Sequence, residues 1–193
     1  VKELKEHIII NLFAGPGSGK STVASEIFNS LKKDGYHCEL PPEIAKRFSY
    51  TKNSSIKNQF FVSASQYNEI FSVLDYWNNL NVKGIIVLDS PLPLGIVFDE
   101  FYNKNPDFRL KDLILSKFNP DTNTDFKFKN INIFLDRTGI KYTNIGRNEN
   151  ENESDKIHDL IIKLLRDNDI KYSIYNTTDK DIISDIKKKI EKL

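Results

Sequence analysis

The sequence predicts an α/β fold in which a doubly wound, five-stranded parallel sheet is flanked by helices. Three observations predict it. An apolar run over residues 8–13 passes directly into Ala14-Gly15-Pro16-Gly17-Ser18-Gly19-Lys20-Ser21-Thr22, and then into a segment whose apolar positions recur at helical spacing. A second unbroken run, Gly84-Ile85-Ile86-Val87-Leu88, closes in Asp89-Ser90-Pro91 and suits a strand buried on both faces, as in a parallel sheet under helices. Strand-like and helix-like segments also alternate along the chain, which calls for right-handed crossovers between parallel strands.

The first strand, loop and helix carry the clearest chemistry. Glycines let backbone N–H groups curl around a phosphate, the helix N-terminus adds partial positive charge, and a lysine reaches the β- and γ-oxygens. Gly15, Pro16, Gly17, Ser18, Gly19, Lys20, Ser21 and Thr22 are therefore the predicted nucleotide-binding residues, with Lys20 on the phosphates and the Ser21 hydroxyl on Mg²⁺. The usual pattern opens with glycine five positions before Gly19, whereas this chain has Ala14, small enough to keep the loop. The fold is thus expected to be that of a P-loop NTPase, with strand order 2-3-1-4-5 and ATP and Mg²⁺ as cofactors.

Basic Lys32 and Lys33 followed by Gly35 end the first helix over residues 23–31, and a second strand over 36–40 stops at Pro41-Pro42. Glu43-Ile44-Ala45-Lys46-Arg47-Phe48 follows, then a polar loop and a long helix over 59–80. The aromatic stripe of that helix, with Phe60, Phe61, Tyr67, Phe71 and Trp77, reads mainly as core. After the strand over 84–88, one helix is expected near 110–117 and a turn at Asn119-Pro120-Asp121. A fourth strand over 131–136 runs into Arg137. A helix over 153–167, a strand over 171–175 and a helix over 179–192 complete the count, with no internal linker and one domain over 1–193.

Ligands in such sheets bind at the carboxyl ends of the strands. That rule gathers the P-loop, Glu43, Asp89 and Arg137 at one edge. Asp89 is the expected acid that holds water on the metal beside Ser21, although ahead of Ser90-Pro91 it also reads as a helix cap. Glu43 and Asp89 are the two carboxylates available to accept a proton from an attacking hydroxyl. Arg137 and Arg147 bracket a segment rich in Gly, Asn and Glu that reads either as a lid over about 137–150, bringing guanidinium groups to a migrating phosphoryl, or as a surface loop.

Composition narrows the rest. With 28 basic against 27 acidic residues and 39% hydrophobic side chains, neither disorder nor a strong overall field is indicated, and a basic region would have to be local. The single Cys38 excludes an internal disulfide framework and reads as a small apolar strand residue. No membrane span or targeting segment is expected, and a reducing cytoplasm is the expected compartment.

The ordered set of residues 11–22, then Glu43-Ile44-Ala45-Lys46, Gln59 and Gln66 on the long helix, Leu88-Asp89-Ser90-Pro91, Asp136-Arg137 and Gly146-Arg147 resembles phage-encoded P-loop kinases. Over residues 7–175 it most resembles the 5-hydroxymethyluridine DNA kinases, which phosphorylate the base hydroxymethyl group in viral DNA during thymidine hypermodification. More distantly, Pro42-Glu43-Ile44-Ala45-Lys46-Arg47-Phe48 is similar to the corresponding segment of deoxynucleoside kinases. The resemblance implies an ATP-dependent phosphotransferase acting on a hydroxyl of a nucleoside-like acceptor, in modified DNA or free, in a host cytoplasm. It implies Glu43 as general base, Lys46, Gln59 or Gln66 on the acceptor, and Lys20, Asp89, Arg137 and Arg147 in phosphoryl transfer. Where deoxynucleoside kinases carry acid-arginine-serine after the third strand, this chain has Asp89-Ser90-Pro91, and the phage kinases commonly have tyrosine where Ile44 stands. A free-nucleoside or nicotinamide riboside kinase and an NTP-hydrolysing regulatory module are the competing readings of the same motifs.

Overall fold

The computed structural model describes residues 4–50, 57–137 and 149–193. Strands β1 (Glu6–Phe13), β2 (Cys38–Glu39), β3 (Ile85–Leu88), β4 (Lys127–Asp136) and β5 (Ser173–Asn176) form a sheet of order β2-β3-β1-β4-β5, parallel throughout, in agreement with the expected 2-3-1-4-5. The helices are α1 (Lys20–Lys33), α2 (Ile44–Tyr50), α3 (Gln59–Leu80), α4 (Leu94–Tyr102), α5 (Phe108–Phe118), α6 (Glu151–Asp167) and α7 (Ile182–Glu191).

Strand side chains alternate between two cores, which is why the Ile8-Ile9-Ile10 run of β1 is apolar on both faces. Ile8, Ile10 and Leu12 join Ile85, Val87, Ile131 and Ile133 under α1 and α7. Ile9 and Phe13 join Ile86, Leu88, Phe128 and Phe134 on the opposite face, under α3 to α6. Cys38 lies in the first of these cores as an apolar residue, and burial pushes its thiol up to about 12.

The sequence and the structure part in four places. Strand β2 is cut to two residues, since it pairs only with β3 and Pro41-Pro42 follows closely. Strand β4 starts at Lys127, earlier than expected, because Asn130 and Asn132 hide its apolar pattern. Both asparagines accept hydrogen bonds at 3.0 Å from the Asn11 amide on β1. Helix α4 was hinted at only by the helix-cap reading ahead of Ser90-Pro91: Leu94-Gly95-Ile96-Val97-Phe98 is apolar at every position, a run too short to tell a buried helix from a strand. On α3 the buried face is Val62, Gln66, Ile70, Leu74 and Trp77; Phe71 packs edge-on against Phe126 at the rim of the core, whereas Phe60 and Phe61 point outward, contrary to the core reading for those two.

The far end of the sheet is fixed by a polar tie. Buried His7 accepts from the Gly84 N–H at Nδ1 (3.2 Å), so its Nε2–H donates to Asn78 Oδ1 (3.2 Å), and its ring stacks on Trp77 at 5.8 Å. Burial lowers the His7 pKa, which agrees with a neutral ring. No helix among the described residues is long and apolar enough to cross a membrane.

Candidate active site

The loop between β1 and α1 takes the shape its glycines permit. Gly17 and Gly19 have φ of 87° and 76°, in the left-handed region that L side chains avoid. Ala14 is not in that region, so alanine there carries no backbone strain. Helix α1 begins directly after Gly19 with no side-chain cap and no acid in its first turn, which leaves its first N–H groups to an anion. Lys20 folds back over the loop, its Nζ donating to Ala14 O (2.8 Å) and Gly15 O (3.1 Å), while Ser18 Oγ donates to Gly15 O (2.8 Å).

Ser21 Oγ donates to Asp89 Oδ2 at 2.8 Å. Helix α4 has Pro93 at its N-cap with no side-chain cap, so Asp89 is turned to the P-loop helix and does not cap α4. A hydroxyl and a carboxylate are hard oxygen donors, the type that Mg²⁺ accepts alongside phosphate oxygens and water. Among the described residues there is no group of three or more acidic, His or Cys side chains that could hold a metal ion.

Glu43 stands just before α2, half-buried, in a cleft of about 270 Å³ that also receives the loop from Pro16 to Thr22. Burial raises its pKa first, and the nearby Asp89 and Glu149 charges raise it further against the opposing pull of Lys20 and Lys46. Its position depends on α3, where buried Gln66 accepts the Ile44 N–H at Oε1 (3.2 Å). Gln66 therefore braces the start of α2, whereas Lys46 and Gln59 line the cleft.

Arg137, at the end of β4, is turned toward α6. Its Nη1 donates to Ser154 Oγ (2.9 Å), its Nη2 pairs with Asp155, and only 16% of its side chain is exposed. Arg147 lies outside the described residues. The sequence reading passed over Phe98, Tyr102 and Glu149. Phe98 and Tyr102 stack at 6.0 Å along one wall of the cleft, and the Tyr102 hydroxyl donates to Glu149. Their i, i+4 spacing on α4 was the available signal.

The loop, the carboxylates and the sheet order together define a P-loop NTPase fold of the α/β class. No protein-family model matches the chain, and no curated protein matches it in sequence. Among solved structures it is similar to deoxyadenosine kinase from M. mycoides with dCMP and dCDP bound (TM-score 0.54, 18% identity, 97% of this chain and 100% of that one). It is also similar to NadR in complex with NR (TM-score 0.59, 14% identity, 91% of this chain and 46% of that one). Thymidylate kinase from Ehrlichia chaffeensis is a third such structure (TM-score 0.58, 13% identity, 97% and 98% covered). At these identities the likeness speaks for the fold.

Proposed function

We propose that this protein is an ATP- and Mg²⁺-dependent kinase that transfers the γ-phosphate to a hydroxyl of a nucleoside-like acceptor, the hydroxymethyl group of 5-hydroxymethyluridine in DNA. The observation that carries the reading is Glu43, a carboxylate of raised pKa in the same cleft as Lys20 and Ser21. A carboxylate so placed suits acceptance of the proton of an attacking hydroxyl. Glu43 accepts the proton of the acceptor hydroxyl, whose oxygen bonds to phosphorus as the bond to the leaving nucleoside diphosphate breaks. Lys20 and the α1 N-terminus hold the phosphate oxygens, and Ser21 with Asp89 holds the metal, which neutralises phosphate charge. Arg147, in the segment over about 137–150 expected as a lid and lying mostly outside the described residues, is assigned to the migrating phosphoryl. Gln59 and Lys46 are assigned to the acceptor, beside the stacked wall of Phe98 and Tyr102, which suits a planar base.

An acceptor within DNA is favoured over a free nucleoside by the surface beside the cleft. The described residues of 44–68 carry Lys46, Arg47 and Lys57 and no acid, in a chain otherwise balanced in charge. Tyr50, Phe60 and Phe61 are exposed there at 65%, 60% and 47%. Exposed rings among basic groups suit unstacked bases and phosphates. NadR, a structural neighbour, is a complex with NR, and a nicotinamide riboside or other free-nucleoside kinase is the second reading. Incubation with γ-labelled ATP and a panel of free nucleosides, ordinary DNA and hydroxymethyluracil-containing DNA separates these. Label on the modified DNA alone is expected; label on a free nucleoside establishes the second reading, and phosphate release without any acceptor overturns the kinase.

A further inference from the structure

Ser154 stands on the first turn of α6, wholly buried, 138 residues away from the loop it touches. Its hydroxyl donates to Pro16 O at 2.5 Å and accepts from Arg137 Nη1 at 2.9 Å. A hydroxyl has one proton, and here it is spent on the phosphate loop, with its lone pair held by a guanidinium that strengthens the bond. Asp155 holds that guanidinium from the next residue, and the Asn150–Glu153 capping box fixes the turn itself.

We propose that Ser154 is a positioning residue for nucleotide binding, and that Arg137 acts through it. In a trans peptide the C=O and N–H point in opposite directions. Tying the Pro16 carbonyl to α6 therefore turns the Gly17 N–H the other way, and Gly17 lines the cleft. Pro16 has no N–H of its own, so its carbonyl is the one backbone hydrogen-bonding group this residue offers. Gly15 makes the approach possible: a Cβ there would lie 2.9 Å from Ser154 O and 3.3 Å from its Oγ. The tie keeps the loop in its phosphate-ready shape before ligand arrives, so less ordering is charged against binding.

This inference rests on the loop being a nucleotide site, whatever the acceptor. The test is Mg²⁺-ATP binding by calorimetry, with Tm followed in parallel. Ser154→Ala is expected to raise the Kd about five- to tenfold, the loss of one charge-assisted hydrogen bond. Arg137→Ala is expected to raise it about threefold, and the double variant to bind no more weakly than Ser154→Ala alone. Additive losses would put Arg137 on the nucleotide directly and overturn its role through Ser154. A lowered Tm with unchanged Kd would make the tie merely structural and overturn the proposal. Should Ser154→Ala not fold, Asp155→Asn, at an exposed carboxylate, is expected to raise the Kd about twofold, and no change there overturns it too. If wild type binds ATP but labels no acceptor, the proposed function fails while these comparisons still decide the role of Ser154.

Discussion

Ser21 Oγ and Asp89 Oδ2, 68 residues apart in the chain, meet at 2.8 Å where the P-loop helix passes the end of β3. Asparagine at 89 would keep a hydrogen-bond acceptor for Ser21 while removing the charge proposed to hold metal water. Asp89→Asn should therefore fold normally and raise the Mg²⁺ concentration needed for half-maximal activity by about tenfold, read from Mg²⁺ titrations at saturating ATP. An unchanged Mg²⁺ requirement would remove Asp89 from the metal.

Lys20 is half-buried over the loop and holds two of its carbonyls. Lys20→Ala should lower kcat by about a hundredfold or more, through loss of one charged transition-state contact worth about 3 kcal/mol. Tm should change little, because the side chain faces the cleft and its removal opens no core cavity. Full turnover in a folded variant would refute the site.

Glu43 yields a pH prediction with a definite sign. Its folded pKa is raised above that of an ordinary glutamate, chiefly by burial and then by the Asp89 charge. The protein therefore binds this proton more tightly folded than unfolded, and the associated stability is present below the unfolded pKa and lost as pH rises through the folded one. Glu43→Gln should raise Tm at neutral pH and lose that advantage as pH falls toward 4.5. As the base must be ionised, kcat should fall on acidification at a higher pH than for an ordinary carboxylate, and Glu43→Gln should bind Mg²⁺-ATP yet lose turnover. Normal turnover in Glu43→Gln would pass the role of base to Asp89.

Gln59 and Gln66 should separate cleanly. Gln66→Leu leaves the buried Ile44 N–H without its acceptor, which costs about 1–3 kcal/mol and displaces the neighbouring Glu43, so both Tm and kcat should fall. Gln59→Ala, at a side chain that lines the cleft but is itself buried, should raise the acceptor KM with kcat little changed, while Tm also falls. Measuring both variants on one acceptor checks the division.

At the other end of the sheet, a Cβ on Gly84 would lie 2.3 Å from the Trp77 ring. Gly84→Ala should destabilise the fold by about 1–3 kcal/mol by denaturant unfolding, since the ring is packed against His7 and has little room to give. Nucleotide binding by the folded fraction should be unaffected, because the site lies at the opposite strand ends.

Much of this was legible in the chain because it is local. The glycine spacing, Lys20 and the apolar run of β1 report a strand, a loop and a helix within one continuous stretch, and the span of α3 follows from its own periodicity. Helix α4 was nearly hidden because its apolar run is too short to tell a buried helix from a strand. Asp99, a carboxylate inside that helix, is explained only by the Asn103 amide and the Asp107 N–H that it accepts. The first half of β4 was hidden because its asparagines answer Asn11, 119 and 121 residues earlier.

Sequence alone determined that a phosphate loop opens a parallel α/β sheet, with Glu43 and Asp89 following strands at its ligand edge. It left open whether Asp89 caps a helix or turns to the P-loop helix, which glutamine lines the cleft, and where Arg137 points. Those are matters of direction, set by contacts between distant segments: Asp89 turned to Ser21, Gln66 spent on Ile44, and Arg137 drawn to Ser154 and Asp155. A residue's type limits which bonds it can make, but only the packed sheet and helices decide which partner lies within reach.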